Sequence, residues 1–342
     1  MKTFIKTGLL LGLLLSSFAQ PAKAVEQNYL GCKSSDVSCF EKVLDAKIAK
    51  SSIPETLKLF KNIAENTNGV AGQCNNLGRY VGKKLYLKNG EAVLKYHDNV
   101  CGEPYTYGFM QAMGGKTVNK SLTAKLVAYC LADQNPSGCA YGVGISQSMS
   151  ESKGSVIQKG CEQSFPKTGK ESTQPYEVTA AGSCLLGWVS GRSSVLPVTF
   201  FSTIASAASL CDGMKGDASL SCLAEATFTY TYIGNPSSPE RIARVKDLRG
   251  RCDKDKSTMC IRFVGKALDD YFLYSLRPNL NKPAESKVVS ELVSQLCTGS
   301  KTNFCIEGLI TAHTVHTSKE DSTKLCNILA TKQRNICLNA VK

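Results

Sequence analysis

The residues of this sequence with the most distinctive chemistry are its 16 cysteines. Cysteine thiolates can bind zinc, exchange electrons or form disulfides, and their spacing indicates which role applies. No Cys-x-x-Cys motif occurs, which argues against a zinc knuckle and a thioredoxin-like redox centre. The even number favours eight disulfides, provided that the chain reaches an oxidising compartment. The cysteines are Cys32, Cys39, Cys74, Cys101, Cys130, Cys139, Cys161, Cys184, Cys211, Cys222, Cys252, Cys260, Cys297, Cys305, Cys326 and Cys337.

The first 24 residues have the features of a secretory signal peptide. Lys2 and Lys6 precede the apolar residues 8–15, and Ala22 and Ala24 supply the small residues that signal peptidase requires. The apolar stretch is shorter than the roughly 20 residues of a membrane-spanning helix. We therefore expect cleavage before Val25 and a periplasmic or secreted mature protein, and the plain leader suggests a bacterial source.

Two short motifs suggest other chemistry. His313 and His316 are three residues apart on a predicted helix, a spacing that suits a metal ion, but the sequence has only one further histidine, His97. Ser150 and Lys153 have the serine–lysine spacing of penicillin-binding enzymes, but the companion motifs of those enzymes are absent. We therefore predict no catalytic residue, no metal site and no cofactor.

The segments around neighbouring cysteines predict helices. Apolar residues recur with a helical period before Cys297, and Pro283 lies where a first helical turn tolerates proline. Ser238 begins another predicted helix, which extends to Cys252. Between Cys297 and Cys305 the insert has the glycine and asparagine content of a turn. Each unit is therefore predicted to consist of a helix, a cysteine, a polar turn, a second cysteine and another helix.

Residues 227–232 are ambiguous. Threonine alternates with aromatic residues there, a pattern that fits a β-strand. A helix enclosed by its neighbours can hold the same aromatic residues, and we predict a helix.

The second cysteine of each neighbouring pair recurs at loosely regular intervals. From Cys101 to Cys337 these intervals are 38, 45, 38, 38, 45 and 32 residues. Two-helix units of about 34 to 45 residues are the usual size of α-solenoid repeats, whose hairpins bury apolar faces against each other. The predicted fold class is all-α: helical-hairpin repeats, α-solenoid-like, stapled by disulfides between sequence-neighbouring cysteines.

This layout resembles the secreted tetratricopeptide-like repeat proteins that carry one disulfide across each helix-to-helix turn. The resemblance is best over residues 130–337 and rests on two Cys-x7-Cys units, Cys252 to Cys260 and Cys297 to Cys305. It also rests on Cys-x2-Gly sequences that begin at Cys139, Cys184 and Cys305. The resemblance implies a protein-binding scaffold.

The chain divides into three predicted parts. Residues 1–24 form the signal peptide, and residues 25–73 form an N-terminal cap region with the amphipathic stretch 57–63. Residues 74–342 form the disulfide-stapled helical repeat body. Within this body, residues 148–153 and 167–175 have the composition of loops.

The densest basic region lies within residues 240–266. It holds nine Lys or Arg residues against four Asp or Glu residues, in a chain whose formal net charge is +13. Such a region can dock an acidic partner by charge complementarity, although a solvated helix pair with internal ion pairs has the same composition. The candidate binding residues are Arg241, Arg244, Arg249, Arg251, Lys254 and Arg262.

The function predicted from these features is an exported, non-catalytic helical repeat scaffold. Its expected partner is another exported protein or an anionic envelope polymer, and no nucleic acid is expected. Two alternatives remain open. One is a cell-envelope hydrolase, which clustered carboxylates with raised pKa values in a pocket would favour. The other is a surface-assembly subunit, which would expose an apolar patch.

Overall fold

The computed structural model describes residues 28–34, 36–67, 74–114, 120–166, 178–255 and 257–341. The described residues are 76% helical and 1% strand, which confirms the predicted all-α class. The predicted signal peptide, residues 1–24, and the predicted loop 167–175 lie outside the described residues.

The described residues begin with a small antiparallel ladder. Strands β1 (Asn28–Tyr29) and β2 (Cys32–Lys33) pair with Tyr29 opposite Cys32. The described residues also form sixteen α-helices. They are α1 (Val37–Lys50), α2 (Ile53–Asn66), α3 (Cys74–Asn89), α4 (Pro104–Met113), α5 (Lys120–Leu131), α6 (Pro136–Gln147), α7 (Gly154–Ser164), α8 (Ala180–Ser193), α9 (Ile204–Ser209), α10 (Gly216–Tyr232), α11 (Ser238–Asp255), α12 (Thr258–Tyr271), α13 (Pro283–Leu296), α14 (Thr302–His316), α15 (Lys319–Asn327) and α16 (Thr331–Ala340).

Local chemistry explains where several helices begin. The Asp36 side chain caps α1 by accepting a hydrogen bond from the backbone N–H of Cys39. Ser52 and Glu55 form a capping box at the start of α2. Pro283 lies in the first turn of α13, as its position in the sequence predicts, because the missing N–H of a proline costs nothing there.

Two sets of helices alternate along the chain. Each member of the first set packs against the next member, and we call these the row helices: α3, α4, α6, α8, α10, α12, α14 and α16. Each member of the second set precedes a row helix and is joined to it, and we call these the flanking helices: α5, α7, α9, α11, α13 and α15. This alternation is consistent with a helical repeat-like fold.

All 16 cysteines are paired, each with its neighbour in the sequence, which confirms the predicted disulfides. Six of the bonds join the C-terminal end of a flanking helix to the following row helix. The pairs are Cys32–Cys39, Cys74–Cys101, Cys130–Cys139, Cys161–Cys184, Cys211–Cys222, Cys252–Cys260, Cys297–Cys305 and Cys326–Cys337.

Glycines let three pairs of row helices approach until their backbones touch. In each pair, a Cβ atom on either glycine would overlap a backbone carbonyl of the facing helix. The carbonyl always belongs to the residue three positions before the other helix's glycine. Only glycine permits this separation, because every other residue carries a Cβ. The glycine pairs are Gly82 and Gly108 between α3 and α4, Gly144 and Gly187 between α6 and α8, and Gly265 and Gly308 between α12 and α14.

The ambiguous residues 227–232 form the last part of α10, so the predicted helix is confirmed. The buried hydroxyl groups of Thr227 and Thr231 donate to the carbonyl oxygens of Leu223 and Phe228 in the preceding turn of the same helix. This back-bonding satisfies threonine inside a buried helix, and it explains why a strand-like alternation can be helical. Two apolar cores, one ending near Ala226 and one beginning at Phe228, meet at α10.

Candidate functional site

Two of the predicted binding residues donate hydrogen bonds to carbonyl groups at the ends of other helices. Arg244 donates a 2.8 Å hydrogen bond to the carbonyl oxygen of Tyr230, in the last turn of α10. Arg249 donates a 2.7 Å hydrogen bond to the carbonyl oxygen of Leu296, at the end of α13. It also forms a bidentate ion pair with Asp253. The last carbonyls of a helix have no partner within that helix, so these guanidinium groups satisfy them.

The other predicted binding residues have varied surroundings. The buried Arg241 lies 3.6 Å from a carboxylate oxygen of Asp270, and Arg262 lies 2.9 Å from Glu307. On α11, Arg251 is half-buried and Lys254 is exposed. Docking of a partner on this basic surface stays a prediction, and Arg241, Arg244, Arg249 and Arg262 already contact groups of this chain.

The structure brings together a second set of residues, which shares Phe263 and Lys266 with that basic region. Half-buried or buried aromatic and charged side chains follow one another across the row helices from α3 to α14. We call this set the aromatic stripe: Arg79, Tyr107, Tyr141, Glu225, Phe228, Phe263, Lys266 and Phe304.

The first part of the aromatic stripe spans α3, α4 and α6. The guanidinium carbon of Arg79 lies 5.5 Å from the ring centroid of Tyr107. The ring centroids of Tyr107 and Tyr141 are 5.1 Å apart. A cation above an aromatic ring is attracted to its negative face, so Arg79 holds the Tyr107 ring in place.

The second part of the aromatic stripe centres on Lys266 of α12. Its ammonium nitrogen lies 4.2 Å from the ring centroid of Phe228 and 5.0 Å from that of Phe263. The same nitrogen lies 3.9 Å from a carboxylate oxygen of Glu225. The Glu225 side chain is 5% exposed and that of Lys266 is 41% exposed. The cation is therefore the part of this group that solvent reaches.

Charged residues of both parts of the aromatic stripe act on Tyr141. Burial raises the pKa of the Tyr141 hydroxyl, and the negative charge of Glu225 raises it further, while Arg79 and Lys266 oppose both effects. Tyr141 therefore lies within the fields of both cations. A hydrogen bond between this hydroxyl and Ser190 of α8 also opposes the shift, because it lowers the pKa of Tyr141.

Lys266 is a cation at neutral pH. Burial disfavours its charged form, but the negative charge of Glu225 and smaller contributions from Tyr141 and Asp270 outweigh burial, and the pKa of Lys266 is raised. Burial raises the pKa of Glu225, an effect that Lys266 opposes. The two groups stabilise each other's charged form in a setting that is costly for either alone.

The glycine contacts between row helices set the spacing between neighbouring side chains of the aromatic stripe. Arg79, Tyr141 and Arg262 each lie three residues before the first glycine of a close helix pair. Arg262 stacks over Phe304, 5.3 Å from its ring centroid, much as Arg79 stacks over Tyr107. Sequence analysis named Arg262 as a candidate binding residue but missed Arg79, Tyr141 and Phe304. The signal that could have identified them is a large side chain three residues before a glycine, repeated in several helices.

No protein-family model, no curated protein and no solved structure matches this chain. The resemblance to tetratricopeptide-like repeat proteins therefore stands at the level of a helical architecture with disulfides between nearby cysteines. In the described part of the chain, no helix is long and apolar enough to cross a membrane.

A separate cavity lies at the C-terminal end of the chain. It has a volume of about 370 Å³ and is lined by Phe272, Arg277, Lys324 and His313, among others. His313, one of the two histidines considered above for a metal, has its ring Nδ1 2.6 Å from Oδ1 of the fully buried Asp269. This leaves Nε2 as the ring nitrogen available to a ligand. The side chain of His316 lies outside the described residues.

Asp270 predicts a pH dependence of stability. Burial raises its pKa from 3.8 to about 6, although Lys266 and Arg241 oppose the shift. Between these two values the folded chain binds more protons than the unfolded chain, so stability falls as pH rises from 4 to 6. Two pKa units correspond to about 3 kcal/mol. Urea unfolding at several pH values is expected to show this slope, and Asp270→Asn is expected to flatten it. An unchanged slope in the variant would assign the dependence to other groups.

Proposed function

We propose that this chain is an exported scaffold of disulfide-stapled helical repeats, of the tetratricopeptide-like kind, that binds a segment of another exported protein along the aromatic stripe. The observation that supports this proposal is that six of the row helices, α3, α4, α6, α10, α12 and α14, contribute side chains to the stripe. Repeat proteins typically bind extended partners along such a succession of equivalent helices. The eight disulfides fit an oxidising compartment, periplasmic or extracellular.

The charges along the aromatic stripe favour a polypeptide over an anionic polymer. Arg79 and Lys266 are cationic, but Glu225 lies beside Lys266, and Glu307 lies beside Arg262. These carboxylates offset the charges of the neighbouring cations, so a polyanion would gain little here, whereas a polypeptide can present charges of both signs. Half-buried aromatic rings add apolar contact area, and such rings are enriched where proteins bind each other.

Site-specific photo-crosslinking in the source cell tests this proposal. A photoreactive amino acid at position 107 or 304 is expected to form one discrete protein adduct, which mass spectrometry then identifies. Val288 is the matched control, because it is 44% exposed on the flanking helix α13, outside the stripe. With the purified partner, Lys266→Met is expected to weaken binding at least tenfold, because the exposed cation of the stripe is lost.

Two outcomes would count against a protein partner on the stripe. Equal adducts at positions 107 and 288 would mean non-specific contact. Salt-sensitive retention on poly-glutamate that Lys266→Met leaves unchanged, without any protein adduct, would favour an anionic polymer bound by the basic region instead.

A cell-envelope hydrolase is the second candidate, and one observation favours it. The Asp269 carboxylate orients His313 beside the C-terminal cavity, and an oriented histidine can act as a general base. Release of soluble fragments from isolated envelope polymer, lost on His313→Gln, would favour this activity over binding.

A further inference from the structure

Glu103 is buried in an unusual position. It directly precedes α4, two residues after the disulfide-bonded Cys101, and its φ of 67° lies in the left-handed region. Only 2% of its surface is exposed. Neither oxygen of its carboxylate accepts a hydrogen bond of good geometry, although the side chain of Asn135 lies close enough to lower the pKa of this carboxyl group. A buried carboxylate without partners is costly, and a bound proton or a bound cation removes that cost.

Asp133 lies beside Glu103 in the turn between α5 and α6. Carboxylate oxygens of the two residues lie within 4.8 Å of each other. The sulfur of Cys139 is equally near, but it belongs to the Cys130–Cys139 disulfide and is therefore not available as a thiolate ligand. The pair thus offers oxygen donors.

The Asp133 carboxylate is held in a fixed orientation. One oxygen contacts Nδ1 of His97, and the other accepts a 2.8 Å hydrogen bond from the backbone N–H of Asn135. The ring of His97 stacks on Tyr129 at 4.1 Å. Asp133 is therefore organised before any ligand arrives, whereas Glu103 has no counter-charge of its own.

The surroundings of Glu103 favour a cation. The buried carboxyl group of Glu103 lies beside a second carboxyl group, that of Asp133, so the site attracts positive charge. In the described part of the chain no Lys or Arg pairs with Glu103. Two carboxylate oxygens at this separation can both contact one calcium ion, because a Ca²⁺–oxygen bond is about 2.3 to 2.6 Å long.

We propose that Glu103 and Asp133 bind one hard divalent cation, of the Ca²⁺ type, which joins the start of α4 to the turn between α5 and α6. Carboxylate oxygens are the ligands that such ions prefer, and water or backbone carbonyl groups would complete the coordination. This site departs from the sequence prediction of no metal. It is independent of the proposed function, although Glu103 lies one helical turn before Tyr107 of the aromatic stripe.

Terbium luminescence tests the site on the mature, disulfide-bonded protein after treatment with a chelator. Tb³⁺ bound there lies near Tyr129, which can transfer excitation energy to it. A saturable signal with one ion per chain is expected, and Ca²⁺ is expected to displace the Tb³⁺. Glu103→Gln keeps the shape of the side chain and is expected to weaken Tb³⁺ binding at least tenfold. Glu91→Gln is the control, since Glu91 is exposed and pairs with Lys125.

A second measurement separates loss of the site from loss of folding. Ca²⁺ is expected to raise the thermal unfolding midpoint of the unaltered chain and of Glu91→Gln, but not that of Glu103→Gln, because only an ion bound to the folded state stabilises it. Circular dichroism checks that each variant is folded. The proposal is overturned if the unaltered chain gives no saturable Tb³⁺ signal. A signal that is equal in folded Glu103→Gln would also overturn it, and Glu103 would then hold only a proton.

Discussion

Gly144→Ala is expected to lower the thermal unfolding midpoint by about 6 to 12 °C. The new Cβ would overlap the carbonyl oxygen of Cys184 and lie 2.6 Å from the backbone nitrogen of Trp188. Both atoms belong to the backbone of α8, which a disulfide holds at Cys184. Forcing two helices apart costs about 3 kcal/mol or more, and each kcal/mol corresponds to about 2 to 4 °C in a chain of this size.

Gly250→Ala is the matched control for this prediction. Gly250 is also helical, but a Cβ at this position meets no atom within 4 Å. The same substitution there is expected to stabilise the chain by up to about 1 kcal/mol, because alanine has the higher helix propensity. Differential scanning calorimetry of both variants is the measurement. If both midpoints rise together, the close contact of α6 and α8 is wrong.

The disulfide framework could be predicted from the sequence because it depends on local information. Each cysteine pairs with an adjacent cysteine in the sequence, and in six of the eight pairs a separation of 7 to 11 residues leaves few geometric alternatives. Helices could be predicted for a similar reason. The period of the apolar residues and the capping residues lie within single segments, such as Pro283–Leu296.

The aromatic stripe could not be predicted in this way, because its members lie far apart in the sequence. Tyr141 and Lys266 influence each other only because α6, α8, α10 and α12 pack in succession. Two of the Cys-x2-Gly sequences nevertheless contained the relevant signal. Gly187 and Gly308 are both glycines at which row helices touch. The spacing of the helices, rather than the disulfides alone, sets the interval of the stripe.

The basic region shows a different limit of sequence analysis. A count of charges identifies nine cations in residues 240–266, but it does not reveal the backbone carbonyl groups that those cations meet. Arg244 and Arg249 bond to the ends of α10 and α13, helices that precede or follow their own. A guanidinium group has five donors, so such a residue can cap a neighbouring helix and still face solvent.

His313→Phe is expected to destabilise the chain by about 3 to 5 kcal/mol, because it would leave the Asp269 carboxylate buried without its ring partner. His313 is 6% exposed and Asp269 is 0% exposed, so water cannot replace the lost contact. Phenylalanine fills a similar volume, which separates the loss of the polar contact from a loss of packing. Urea unfolding at neutral pH is the measurement.

A double-mutant cycle separates two contributions to this loss of stability. One is the cost of leaving the Asp269 carboxylate without its histidine partner, and the other is the packing lost when a side chain is replaced. Asp269→Ala removes the carboxylate and leaves His313 with an unpaired ring nitrogen. The double variant Asp269→Ala/His313→Phe removes both polar groups, and we expect it to be more stable than His313→Phe alone. Strictly additive losses would contradict a strong interaction between the two side chains. A strong coupling would instead mean that the histidine beside the C-terminal cavity is held by Asp269, with Nε2 left for whatever enters the cavity.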